Sequence, residues 1–210
     1  VGRSGAGKST LIKLIAGLYS PTHGRISIGD RIIDDASLAD YRRQIGLVDQ
    51  DVALFSGDIA ENIRYSRPSS TNDDVEIASQ QAGLYETVRN LSAGQRQLIA
   101  LARAQLANAH ILLLDEATSR LDRTSEERLM SSLTDVAHTG KHLALIVAHR
   151  LTTAQRCDLI AVIDKGQLAE YGTHEQLLAA GGLYTRLWHD SVGSSVPHRQ
   201  HDITGEIVEE

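Results

Sequence analysis

With 210 residues, 41% of them hydrophobic, the chain has material for one good core and one domain with an appendage. A formal net charge of −6, with Lys and Arg dispersed rather than striped, disfavours nucleic acid as a partner. The single Cys157 leaves no internal disulfide, and the longest apolar runs, "ILLL" (111–114) and "LALIVA" (143–148), are far too short to span a bilayer.

In chain order, Val1 stands directly before the glycine-rich "GRSGAGKST", so the sequence reads as a fragment of a longer polypeptide. A helix leaves that loop, with Leu11, Leu14, Ile15 and Leu18 spaced i, i+3, i+4, i+7. "RISIGDRII" predicts two short strands about a Gly29-Asp30 turn, and Ser37 with Asp40 predicts a capping box opening "SLADYRRQ". The strand "IGLV" (45–48) follows. From Gln50 to about Asn108 strands vanish and two or three helices are expected, an insert over about 51–108. The strand pattern resumes with "ILLL", then a helix from about Ser125 to Ala137 carrying Leu129, Leu133 and Val136, then "LALIVA". A further strand, "LIAVI" (159–163), turns at Lys165-Gly166 into "LAEY", and Thr173 with Gln176 caps a helix ending at Gly181-Gly182. Strands alternating with helices indicate an α/β fold with a mostly parallel sheet, over residues 1–188. Residues 189–210 are polar and aperiodic, the pattern of a disordered tail.

"GRSGAGKS" matches G-x-x-x-x-G-K-[ST] from Gly2 to Ser9. Gly2, Gly5 and Gly7 let successive backbone N–H groups face one anion, Lys8 reaches the outer phosphates, and the Ser9 hydroxyl can ligate Mg²⁺. At the end of "ILLL", Asp115 can orient Mg²⁺ or its water, and Glu116 can accept a proton from an attacking water. His149 ends "LIVA" and can donate to a terminal phosphate oxygen, while Gln50 follows "IGLV" and can bind Mg²⁺ or position water. Taken singly, the acidic pair is as readily a solvated loop opening and Gln50 as readily an ordinary loop residue, whereas a capping or surface role is the lesser reading of His149. Beside the glycine loop, three strand-end loops make one site. A second anion site stands at "LSAGQ", where Ser92 and Gly94 open another helix. His198 and His201 have no Cys or carboxylate around them at ligand spacing.

Together these residues resemble the nucleotide-binding domain of ATP-binding cassette (ABC) proteins, a P-loop NTPase core with an inserted helical subdomain. The Walker A motif is "GRSGAGKST", with Gly2, Arg3, Ser4, Gly5, Ala6, Gly7, Lys8, Ser9 and Thr10 around the nucleotide. Gln50 holds the Q-loop place, and Leu91, Ser92, Ala93, Gly94 and Gln95 form the signature. "ILLLDE" is the Walker B motif, "SRLD" to Asp122 the D-loop, and His149 the switch residue. Six motifs in the family's order, from residue 2 to about 188, make the match specific. The resemblance implies ATP and Mg²⁺ as ligands and a head-to-tail pair with a second such domain, homo- or heterodimeric. In that pair the Ser92–Gly94 site of one chain completes the ATP pocket of the other. "DQDVALFSGDIAENIRY" and "IVAHRLTTAQRCDLIAVIDKGQLAEYGTHEQLL" look like the exporter branch, which implies a transmembrane domain fused upstream and a place on the cytoplasmic face of the cell membrane. Arg120 stands where the D-loop usually has Ala, Ala93 replaces the middle signature Gly, and the segment before the signature is short. An ATP-binding fragment without turnover and a non-transport ABC ATPase are the alternatives; the "ENI" and "AHRL" contexts argue against the latter.

Overall fold

The computed structural model describes residues 1–34, 37–49, 51–84, 93–115, 123–138, 142–148 and 150–193. Helix α1 (Lys8–Ile15) leaves the glycine loop, followed by the hairpin strands β1 (Ser27–Ile28) and β2 (Arg31–Ile32), helix α2 (Leu38–Arg42) and strand β3 (Ile45–Val48). Helices α3 (Ile59–Arg64), α4 (Asn72–Gln81) and α5 (Ala93–Leu106) lead to β4 (Ile111–Asp115), and α6 (Arg123–His138) leads to β5 (Leu143–Val147). Helix α7 (Leu151–Ala154), strands β6 (Ile160–Asp164) and β7 (Gln167–Gly172), and helices α8 (His174–Ala180) and α9 (Leu183–Gly193) complete the order.

The sequence pattern of "ILLLD" explains the centre of the fold. Strand β4 pairs in parallel with β3 on one side and β5 on the other, Ile111 lying opposite both Ile45 and Leu143. All of β4 is buried because both faces are covered. Leu112 and Leu114 pack with Leu98, Ile99 and Leu101 of α5 and with Leu129 and Leu133 of α6. Ile111 and Leu113 point the other way, against Ile12 and Ala16 beside the glycine-loop helix and Tyr41 of α2. The result is mixed α/β layering about a parallel sheet. Helix α5 comes so close to β3 that a Cβ on Gly46 would lie 2.3 Å from the Cβ of Ala104.

The antiparallel pair β6–β7 forms a separate sheet with its own core, in which Ile160, Val162, Leu177 and Tyr184 are buried. Val1 joins it: its amino group donates to the Ala161 carbonyl at 2.8 Å, and the Ile163 N–H donates to the Val1 carbonyl at 2.8 Å. Between β5 and β6 lies a cavity of about 500 Å³, lined by Leu143, Leu145 and Val147 on one side, Ile160 and Ile163 on the other, and Leu11 of α1.

Several local expectations shift. The buried face of α1 is set by Ile12, with Ile15 and Ala16, whereas Leu11 is 39% exposed and Leu18 51% exposed. Leu11 turns to the cavity instead of the sheet. Ser37 does precede α2 but makes no side-chain cap, because its hydroxyl donates to the Asp34 carboxylate at 2.8 Å. The capping box at Thr173 and Gln176 is present, and the Asp58–Glu61 and Thr71–Asp74 boxes open α3 and α4 in the same way. Helix α9 runs on to Gly193, so residues 189–193 belong to the folded chain. Trp188 draws the helix on by packing edge-on against His174 and beside Tyr184. The remaining tail, 194–210, lies outside the described residues, as does the side chain of Val136.

Candidate nucleotide-binding site

The glycine loop owes its path to backbone conformations that side chains rarely adopt. Gly2 has φ 148°, and a Cβ there would lie 2.1 Å from the carbonyl oxygen of Ile163. Gly7, at φ 98°, turns the chain into the first residue of α1. The β6–β7 turn closes over the loop, the Gly166 N–H donating to the Ala6 carbonyl at 3.0 Å. Ala6 is buried, while Arg3, Ser4, Gly5 and Thr10 are exposed.

Two polar side chains organise the loop. Lys8 Nζ donates to the carbonyls of Gly2 and Arg3, each at 2.8 Å, so the ammonium sits over the loop's own mouth. Ser9 Oγ donates to Oδ1 of Asp115 at 2.9 Å. That bond joins the start of α1 to the carboxyl end of β4, where Asp115 is 8% exposed. A hydroxyl and a buried carboxylate at this separation are hard oxygen donors of the kind Mg²⁺ takes.

The parallel strand order β3-β4-β5 brings the carboxyl ends of these three strands to one sheet edge. Gln50, Glu116 and His149 themselves lie outside the described residues, each just past the end of its strand. Leu91, Ser92 and Asp122 also lie outside them, whereas the backbone of Ala93, Gly94 and Gln95 opens α5. Among the described residues no group of His, Cys, Asp and Glu forms a further metal cluster.

One network escapes the sequence. Arg103 of α5 donates through Nε to the Asn62 carbonyl at 2.8 Å, through Nη2 to Asn62 Oδ1 at 2.7 Å, and through Nη1 to the Ala53 carbonyl at 2.8 Å. Asn62, 5% exposed, in turn donates to the carbonyls of Phe55 and Asp58. Burial draws the guanidinium pKa below its ordinary value, and the accepting oxygens compensate the desolvation. The segment that follows Gln50 is thereby tied to the helix that the Ser92–Gly94 site opens. Two of the three acceptors are backbone carbonyls, which no residue pattern announces.

The family model described as "ABC transporter" matches residues 1–119. The chain is 41% identical to a multidrug efflux ATP-binding/permease protein of Mycobacterium bovis (strain BCG / Pasteur 1173P2), over 90% of this chain and 17% of that protein. It is 45% identical to an ATP-dependent lipid A-core flippase of Neisseria meningitidis serogroup B, over 89% of this chain and 32% of the flippase. Human ATP-binding cassette sub-family B member 6 is 40% identical over 90% of this chain and 24% of its own length. The chain therefore spans about a third or less of these relatives. Among solved structures, a bacterial Atm1-family ABC exporter with ATP bound superposes with a TM-score of 0.84 at 36% identity, covering 93% of this chain and 36% of the exporter chain. Matched by that family model over more than half its length, and 45% identical to a flippase over 89% of its length, the chain belongs to the ABC transporter family.

Proposed function

We propose that the chain is the ATP-binding and hydrolysing cassette of an ABC exporter, working in a membrane-bound assembly and facing the cytoplasm. The observation that carries this reading is the Ser9–Asp115 hydrogen bond, which puts the glycine loop and the acidic strand end in one site. Lys8 leaves the carbonyls of Gly2 and Arg3 to meet the outer phosphates, while the loop's N–H groups and the start of α1 hold the rest of the triphosphate. Ser9, Asp115 and Gln50 are the residues to hold Mg²⁺, which when bound neutralises phosphate charge. Glu116 accepts the proton of the attacking water, and His149 donates to the terminal phosphate.

The Ser92–Gly94 site takes the terminal phosphate held by a second copy or a paralogue. A ligand that bridges two surfaces stabilises their association only while bound, so hydrolysis lets the pair open. Among the described residues no helix is long and apolar enough to cross a membrane. Similarity to an ATP-binding/permease protein many times longer supports a transmembrane domain on the same polypeptide as the partner.

Phosphate release from Mg·ATP tests the reading, with ATP binding measured separately by titration. Turnover that rises when transport substrate is present is the expected result. Binding without release would reduce the chain to a nucleotide-binding module, and absence of binding would remove the reading.

A further inference from the structure

Two loops that carry catalytic candidates leave neighbouring strands at one edge. Asp115 of β4 is paired with Val147 of β5, and the loops with Glu116 and with His149 begin directly beyond them. Each loop returns to the scaffold at a helix, one at α6 from Arg123 and the other at α7 from Leu151. In the first turn of α6 stands Glu126, whose side chain is 12% exposed. Its carboxylate is shared by two residues of the second loop's landing. Arg150 Nη1 donates to Oε2 at 2.6 Å, and Thr153 Oγ1 donates to Oε1 at 2.6 Å. Arg150 is the N-cap residue of α7 and the neighbour of His149, and Thr153 is buried at 2% exposure. Both oxygens of one carboxylate thus serve the start of α7, through short, charge-assisted bonds.

We propose that Glu126 is a positioning residue of the hydrolytic site: it fixes the start of α7, and with it His149, against the segment that carries Glu116. The proposal rests on reading Glu116 and His149 as catalytic. Strand register sets Asp115 beside Val147, and Glu126 ties the first turn of α6 to the start of α7. Cutting the second tie leaves only the first. The proton acceptor and the phosphate donor then lose their mutual placement, and a displacement of about 1 Å in such a pair costs on the order of a hundredfold in rate. Nucleotide binding is spared, because among the bonds described Glu126 makes none to the glycine loop or to Asp115.

Glu126→Ala and Glu126→Gln in the full-length protein test this. ATP turnover and ATP affinity are measured, together with the ¹⁵N imidazole signal of His149, assigned by its loss in His149→Gln. The alanine variant is expected to lose about ten- to a hundredfold in kcat with ATP affinity held within about twofold. The glutamine variant, which retains one acceptor oxygen at the same reach, recovers part of the loss. The His149 signal shifts in the alanine variant. Unchanged kcat in both variants, or a parallel loss of affinity and kcat, overturns the proposal. Should the unmodified protein release no phosphate, the ATPase reading fails on its own. The imidazole signal then still decides: a signal unmoved by Glu126→Gln and Glu126→Ala overturns the positioning role, and a shifted one sustains it.

Discussion

Glu116→Gln is expected to abolish ATP turnover while leaving ATP bound. The amide keeps the size and hydrogen-bonding reach of the carboxylate but cannot take a proton from water. General base catalysis contributes about 10²- to 10⁴-fold, so phosphate release should fall by that order. Asp115 remains in place beside Ser9, and the glycine loop is untouched, so affinity for ATP should persist. Because ATP is the bridge in the proposed pair, a variant that binds without hydrolysing should accumulate as the ATP-bound dimer in size-exclusion chromatography. Normal turnover in Glu116→Gln would move the proton to another acceptor, with His149 the next to test.

Lys8→Ala acts one step earlier, on binding. The ammonium bridges two carbonyls of its own loop, which holds a cation at the loop's mouth. A hydrogen bond to a charged group contributes about 1.5–3 kcal/mol, which corresponds to roughly a ten- to hundredfold loss of Mg·ATP affinity. Isothermal titration measures it directly. Affinity equal to that of the unmodified chain would overturn the assignment of the loop.

The parts of this site visible from residues alone are those written in local spacing. G-x-x-x-x-G-K-[ST] with an apolar-faced helix after it specifies a phosphate loop, and four apolar residues before Asp115 specify a strand buried on both faces. Strand adjacency was also legible, since "IGLV", "ILLL" and "LALIV" do lie side by side in that order. What escaped depends on neighbours distant in the chain. The helical repeat of α1 accommodates Leu11 as readily as Ile12, and only the packing of Tyr41 and Leu113 decides that Ile12 goes under. Ser37 has the right spacing for a cap, yet Asp34, three residues earlier, takes its hydroxyl. Arg103 and Glu126 look like solvated charges of helix surfaces. Their roles appear only when residues 41 and 24 positions away fold back onto them.

The gap between β5 and β6 bears on how the glycine loop is held. The strands β3, β4 and β5 share two apolar clusters with α1 through α6, while Ala148, α7, β6, α8 and α9 gather around a third. Across the gap no ladder of the kind that unites β3 with β4 joins the two sheets among the described residues; the links are Val1, bonded to Ala161 and Ile163, the Gly166–Ala6 hydrogen bond, and Ala148, Leu151 and Ala154, which pack into the third cluster. The glycine loop is braced from both sides of that gap: Gly2 lies against Ile163 and Ala6 accepts from the Gly166 N–H on the β6–β7 side, while Ser9 donates to Asp115 at the end of β4. The shape of the loop therefore follows the spacing of the two sheets.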